Sequence, residues 1–383
     1  MATTLIGTRT TGNITATRRV LDMSNRISLL QPEKTPLVVL LMRLRKKKAI
    51  NPEYAWLEDD LIPRTSATVD SGGASIVTIV VTTGEGSYFR VNDVVKNTTT
   101  GEVMLVTGIS TDTLTIVRGL GGSAAVFNLA DELLILGNAA EEYDVTPTIK
   151  TTITSRVFNY IQTFRNPFGA STLQEKSELY GGGDRNYQRK KVGIEHMVDL
   201  ERSFWFGEPY EDTAGAVQAT PQRTTGGVTN YVTTNITTLG TGGLTEATMN
   251  DFIRTGMRYG NRTKFLFASP LGMTKIDGFA NGKLRLMPKD KTLGLAISRW
   301  VTSHGDVNIV RTVIFEGATY DEWSFLLDME NVAMRVMEDT QLWTDTQENN
   351  RHGWQDEWIS SVGFEIKSEK THSILKNIDG SAS

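Results

Sequence analysis

The sequence predicts an α+β chain of more than one folding unit, on three observations. Short β-branched segments joined by polar turns occupy residues 74–137. One helical period persists over about 184–206, and strand and helix patterns alternate over about 240–337. At 383 residues the chain exceeds what one hydrophobic core accommodates, so two or three units are expected. Hydrophobic content of 39% and charged content of 22% are those of an ordinary globular protein, and 35 glycines imply many turns.

Taken in order, residues 1–20 are threonine-rich without periodicity and read as an extended or mobile arm. The pattern LDMSNRISLLQPEKTPLVVLLMRL places apolar clusters around Pro32 and Pro36, with a short helix expected after Pro36. The basic run Arg43, Arg45, Lys46, Lys47, Lys48 follows. In NPEYAWLEDDL the alternation of Tyr54 and Trp56 suggests a strand. ASIVTIVVTT, EVMLVTGI, TLTIVRG and ELLILG then read as strands at a spacing that fits a small meander or barrel. VNDVVKNTTTGEVMLVTGISTDTLTIVRGLGG, in its middle, shows the same strand-and-turn texture.

TTITSRVFNYIQTFR reads as extended. After Gly181, Gly182 and Gly183, a helix is expected with Asp184 as its N-cap and Gly207 as its stop. Ile194, Met197, Leu200 and Phe204 mark its apolar face, and its length would be about 33 Å. A Gly/Thr-rich connector (208–243) leads to a helix over 245–259, the strand KFLFAS and a helix from Pro270. Strands follow at DVNIVRTVIF, WSFLLDM and NVAMRVM, and SVGFEIKSEKTHSILKNI reads as two strands around a polar turn.

Chemistry-bearing motifs are sparse. With no cysteine, disulfides, thiolate nucleophiles and Cys-ligated metals are excluded, and an intracellular folding site is the natural reading. No apolar run of about 18 residues is present and the N-terminus lacks a signal-like apolar region, so no membrane partner is expected. A net charge of −4 does not favour tight general DNA binding. His196, His304, His352 and His372 are scattered, and His196 is expected to be a satisfied structural histidine. GFANGKL has Leu284 where a phosphate loop needs Ser or Thr, and the Gly181–Gly183 run is no dinucleotide fingerprint. Glu141–Glu142 and Asp59–Asp60 are expected on solvated faces or in ion pairs. No catalytic residue, metal or cofactor is assigned, and an enzyme is the least favoured class. An arm, an extended segment carrying a β insert and one unusually long helix instead suit a protein that tiles a surface.

LDMSNRISLLQPEKTPLVVLLMRL followed by NPEYAWLEDDL resembles the N-terminal region of tailed-bacteriophage major capsid proteins, and VGFEIKSEKTHSILKNI resembles their closing strands. LERSFWFGE, TTGGVTNYV, FLFASPLGMTKID and LLDMENVAMRVM match in character and order, so the resemblance covers nearly the whole chain. It implies the HK-ninety-seven phage fold: an N-terminal arm (1–50), an extended loop (51–155) with a β-barrel-like insertion at about 74–137, and a peripheral domain (156–224) with a spine helix over 184–206. An axial domain (225–337) and a return to the peripheral domain (338–383) complete it.

The implied function is self-assembly into pentamers and hexamers that form a shell, icosahedral or elongated, around double-stranded DNA in the virion, built in the bacterial host cytoplasm. Expected partners are further copies of the chain, separate scaffolding and portal proteins, weakly contacted DNA, and cement or decoration proteins. The short arm leaves no room for a built-in scaffolding segment. The insertion either faces outward as a decoration or braces the next capsomer; a mere thickening of the loop is the alternative. Candidate intersubunit contacts are Val38, Leu40, Leu41, Tyr54 and Trp56, for which packing inside their own subunit is the other reading. Arg43, Arg45, Lys46, Lys47 and Lys48 are expected to meet phosphates or acidic residues of a neighbouring chain. A cellular nanocompartment shell and another virion structural component are the competing functions.

Overall fold

The computed structural model describes residues 35–44, 46–142, 148–178, 183–212, 220–283, 297–315, 317 and 319–380. Residues 1–34 of the expected arm, Arg45, Gly181, Gly182 and Leu284, all named above, lie outside these residues. The chain forms two compact units, one running to Trp56 and resuming at Val157, the other comprising Leu57–Arg156.

The first unit is built around a four-stranded and a six-stranded sheet, with Tyr210–Asp212 and Gln222–Thr224 forming a separate two-stranded ribbon. In the smaller, four-stranded sheet the strands run in the order Lys46–Lys48, Val332–Trp343, Gly353–Ile366, Gln162–Ser171. Lys46–Lys48 joins in parallel against Met334–Val336, and the other pairings are antiparallel. The ladder from Gln162↔Val362 to Ser171↔Gly353 is unbroken. Pro167 sits inside Gln162–Ser171, which is possible because that strand lies at the sheet's edge and needs no second partner for its backbone. Toward its other edge, Val332–Trp343 carries register shifts between Val336 and Glu338 and between Glu338 and Gln341.

The long helix spans Asp184–Phe206, the range the sequence predicts. Gly183 is its N-cap rather than Asp184, which occupies the first turn, where its carboxylate favours the positive end of the helix. The fully buried face is Val192, His196, Leu200, Glu201, Phe204 and Trp205, rotated from the expected one because Ile194 and Met197 lie at its margin, half-buried. Gly207 ends the helix in an extended conformation, and a Cβ there would come within 2.3 Å of the Thr225 carbonyl. Trp205 meets Phe267 at 5.1 Å, Phe315 at 5.0 Å and Phe325 at 4.8 Å between ring centroids, so the last helical turn joins one continuous core with residues of both sheets.

The second sheet has the order Ile236–Thr238, Ser373–Lys376, Ser324–Leu327, Thr263–Ala268, Asp306–Arg311, Ile297–Val301. Helices Glu246–Gly256 and Pro270–Lys283 accompany it, the first entered through a reciprocal cap between Thr245 and Thr248. Phe252, Ile253, Leu266, Val307 and Leu375 are among its core residues. Two expectations change here. NVAMRVM belongs to the smaller sheet, where Val332 and Met334 reach the main core, so the expected boundary at 337 falls inside one strand. The closing segment does not pair with itself: Gly353–Ile366 stays in the smaller sheet and Ser373–Lys376 crosses to the larger one. A left-handed turn at Ser368 (φ 53°) lies between them.

A buried carboxylate fixes the first described helix, Pro36–Leu44, to the long one. Glu201 accepts hydrogen bonds from the Leu37 and Val38 amides at 3.1 and 2.8 Å and from the Trp205 indole at 3.2 Å. It thereby satisfies backbone donors that a helix start leaves without partners. Burial pushes its pKa up to about 7 against the opposing pull of those donors.

The second unit is a closed β module. Its sheet order is Thr65–Ala67, Glu132–Asn138, Asp93–Asn97, Val103–Ser110, Thr113–Val117, Thr78–Val80, and a bridge between Thr68 and Val81 brings the first and last strands together. It begins at Thr65, earlier than the expected 74, because Thr65–Ala67 is the strand that closes the ring. Phe89, Val95, Met104, Val106, Leu114, Ile116, Phe127 and Leu133 fill the interior. The Arg118 guanidinium donates to both oxygens of Glu102, and the Gly119 and Ala125 amides donate to them as well. Arg118 also reaches the Gly73, Ile76 and Ala125 carbonyls, tying two loops to the barrel wall. Burial alone would raise the Glu102 pKa; these donors outweigh it and hold the group below its usual value.

Two outcomes are expected. Glu102→Ala leaves the Arg118 guanidinium, 6% exposed, without its counter-charge and destabilises the insertion by about 3–5 kcal/mol, visible as an earlier calorimetric transition. In Glu201→Gln the second test is pH dependence. Because the folded pKa lies above the unfolded one, wild-type stability falls as pH rises from about 4.5 to about 7. Chemical denaturation at pH 5 and pH 8 should show the wild type losing about 3 kcal/mol relative to the variant.

Candidate assembly surfaces

Val38, Leu40 and Leu41 are fully buried in the chain's own main core, alongside Leu37. Of the two expectations for these arm residues, packing inside their own chain, against the long helix and the smaller sheet, is the one the structure has. Tyr54 and Trp56 are also internal, 8% and 5% exposed. The Tyr54 hydroxyl donates to the Phe364 carbonyl at 2.8 Å, its ring stacks on Trp56, and Trp56 meets Tyr231 at 5.7 Å. Burial raises the Tyr54 pKa well above its ordinary value, so the phenol stays protonated.

Part of the basic run has partners within the chain. Lys46 pairs with Asp339 at 2.7 Å and Lys47 with Glu365 at 2.8 Å, and Glu365 is also held by Arg335. Arg335 lies 5.7 Å from the Tyr54 ring centroid and donates to the Lys48 carbonyl. Lys46 and Lys47 thus already face carboxylates of their own chain, and both side chains remain partly exposed. Lys48 and Arg43 are exposed.

His196 is the structural histidine expected: its ring nitrogens lie 2.6 Å from Asn166 Oδ1 and 2.6 Å from Ser360 Oγ, and burial lowers its pKa. His372 accepts from the Asp328 amide through Nδ1 and donates through Nε2 to the Lys367 carbonyl; burial pushes it down to about 4. Lys264, fully buried, donates to the Gly256, Tyr259 and Thr371 carbonyls, and burial lowers it to about 8. These groups are spent on backbone and side-chain partners inside the fold. Among the described residues no cluster of His, Asp and Glu has metal-binding geometry, and no helix is long and apolar enough to cross a membrane.

The exposed apolar residues lie elsewhere. In the second unit, Leu57, Leu61, Ile149 and Ile153 are 68–94% exposed. They flank the barrel on the runs that lead into and out of it, where Glu53–Glu58 and Ser155–Tyr160 pair with each other. Sequence periodicity does not reveal them: Ile149 and Ile153 stand singly among polar neighbours, and Leu57 and Leu61 sit beside Trp56 and Ile62 without repeating a period. Their only signal is that large aliphatic side chains recur on both runs.

Comparison with known proteins agrees with this architecture. A family model described as SU10 major capsid protein matches residues 4–379. The major capsid protein of Pseudomonas phage PaMx41 is 23% identical over 265 residues, 65% of this chain; the match spans 62% of that relative's length. Among solved structures, the capsid of a native GTA particle is similar with a TM-score of 0.51 at 9% identity, covering 96% of this chain and 97% of the other. A structure from Mycobacterium phage Bobi has a TM-score of 0.51 at 7% identity, covering 94% and 96%. The fold is that of the HK-ninety-seven phage capsids, and the chain belongs to the SU10 major capsid protein family.

Proposed function

We propose that copies of this chain tile the shell enclosing the double-stranded DNA of a tailed phage, as hexamers and pentamers. The observation that carries this reading is the family match over residues 4–379. The exposed Leu57, Leu61, Ile149 and Ile153 support it, because apolar side chains on extended runs gain about 1.5–3 kcal/mol each when another surface covers them fully. Many such contacts, individually weak, become cooperative when the shell closes. Assembly takes place in the host cytoplasm, on a separate scaffolding protein and around a portal. The DNA is met by weak non-specific contact, consistent with a net charge of −4. The insertion makes contact with a neighbouring capsomer or a cement protein rather than merely thickening the loop.

The test is electron microscopy of the purified chain with and without its scaffolding partner. Shells, tubes or isolated capsomers are expected, with DNA inside phage-sized particles from infected cells. A small shell around a cargo enzyme would replace this reading by the compartment one, and a chain that stays monomeric with its scaffold present would end it. Leu61→Asp with Ile153→Asp should weaken assembly more than a hundredfold while the melting temperature of the unassembled chain changes little, since both side chains already face solvent.

A further inference from the structure

Between Asp251 and Asp277 the chain carries five basic residues and no acidic one, in a protein whose total charge is −4. Arg254, Arg258 and Arg262 recur four apart, with Lys264 and Lys275 beyond them. Three of the five are engaged inside the chain: Lys264 is buried, Lys275 pairs with Asp379 and Arg254 pairs with Asp251. Arg258 and Arg262 are exposed, and among the described residues neither is paired with a carboxylate. Arg165, Arg185, Arg223 and Arg335, by contrast, each face one.

Both arginines stand on a pinned backbone, the connection between the helix Glu246–Gly256 and the strand Thr263–Ala268. The Lys264 ammonium donates to the Gly256 and Tyr259 carbonyls at 2.6 and 2.8 Å, gathering the helix end and the loop on one cation. Asp328 accepts from the Asn261 amide at 3.0 Å. Gly260 turns with φ 81°, and a Cβ there would meet Asp328 Oδ2 at 2.5 Å. A second turn lies against this one. The strand Asp306–Arg311 runs parallel to Thr263–Ala268, and the Asp306 amide donates to the Arg262 carbonyl at 2.8 Å. Thr302 ties that second turn, its hydroxyl donating to the Gly305 carbonyl at 2.8 Å and accepting from the His304 amide. One end of the six-stranded sheet thus presents Arg258, Tyr259, Arg262, Thr263, Ser303 and His304 to solvent. The carboxylates nearby are spent or marginal. Asp328 is buried on Asn261, Asp306 pairs with Arg299, and Glu330 is exposed on the turn after Asp328.

The chemistry of this surface suits phosphate. A guanidinium offers two parallel donors to a pair of phosphate oxygens and gives up its water readily. Hydroxyl side chains beside arginines are the usual companions of phosphate contacts. A protein partner would call for an aromatic or aliphatic anchor at the centre. Here Val301 sits at the margin, on the sheet's edge strand, and the Tyr259 ring is covered by Arg258, whose guanidinium carbon lies 5.4 Å from its centroid. Because the backbone is already held, little ordering is required when a rigid polyanion arrives. The negative balance of the whole chain keeps such a contact local and weak.

We propose that this end of the six-stranded sheet, through Arg258, Arg262 and His304, contacts the phosphate backbone of double-stranded DNA without reading its sequence. The inference rests on the shell reading and gives its DNA contact a place, with these two turns facing the interior.

The full chain is titrated into a labelled DNA duplex of mixed sequence and followed by fluorescence anisotropy at several salt concentrations. Weak binding that falls steeply with salt is expected. Arg258→Gln with Arg262→Gln should weaken it about tenfold at low salt and reduce the slope of log affinity against log salt by about 1.8, since each phosphate contact contributes about 0.9. The melting temperature should not change, both side chains being exposed. Lys190→Gln with Arg202→Gln removes the same charge from exposed positions on the long helix and should leave the slope unaltered. Absence of binding, unchanged binding in the first double variant, or an equal loss in both overturns the proposal. Polyglutamate competing as well as unlabelled duplex of equal charge would reveal a site for any acidic chain and overturn the DNA assignment. Electron microscopy of the same samples scores the shell separately. Shells from a wild type whose duplex binding is indifferent to Arg258 and Arg262 overturn this inference alone. Binding carried by those arginines in a chain that forms no shell, even with its scaffold, overturns the shell reading.

Discussion

The Glu201 carboxylate, buried beneath two backbone amides and an indole, is the constraint on which the peripheral part of the fold depends. It seats the start of Pro36–Leu44, and that helix delivers Lys46–Lys48 to the edge of the smaller sheet. From there the chain reaches Tyr54, whose hydroxyl bonds back to the strand Gly353–Ile366. Sheet, long helix and entry to the insertion are thus tied by a short covalent path anchored at one end by a single side chain. An unpaired charge would be expensive at such a site, and the rise of its pKa to about 7 is the measure of that expense.

The second unit solves a different problem. A small barrel has little interior to bury, and its loops are long enough to wander. Arg118 and Glu102 gather loop carbonyls and amides around one buried ion pair, so the loops at 70–77 and 119–127 are fixed by polar bonds rather than by apolar packing. The interior holds the strands and the polar knot holds the loops.

The long helix and the strands of the insertion were legible in the sequence because their signals are local: a persistent helical period bracketed by glycines, and β-branched runs between turn residues. Where a strand goes is not a local property. Nothing within VGFEIKSEKTHSILKNI says that its halves join different sheets, and Thr65–Ala67 is too short to announce that it closes a barrel. The contact residues were harder still. A buried leucine or tryptophan has the same chemistry whether its own subunit or a neighbour covers it, so Leu41 and Trp56 read alike in either case. Lys47 and Glu365 stand 318 positions apart, a pairing no spacing rule could supply. Ile149 and Ile153, each alone among polar neighbours, carry no pattern to read.

Pro167 in one outer strand and the bulges of Val332–Trp343 toward the other have a consequence for how such a molecule ages in solution. A sheet edge of regular backbone invites another edge to stack on it without limit, and the product is a fibre. Here one rim lacks a donor at Pro167 and the opposite side is locally out of register. Unassembled subunits are thereby discouraged from stacking edge to edge through this sheet, a mode of association that yields a fibre rather than a closed shell.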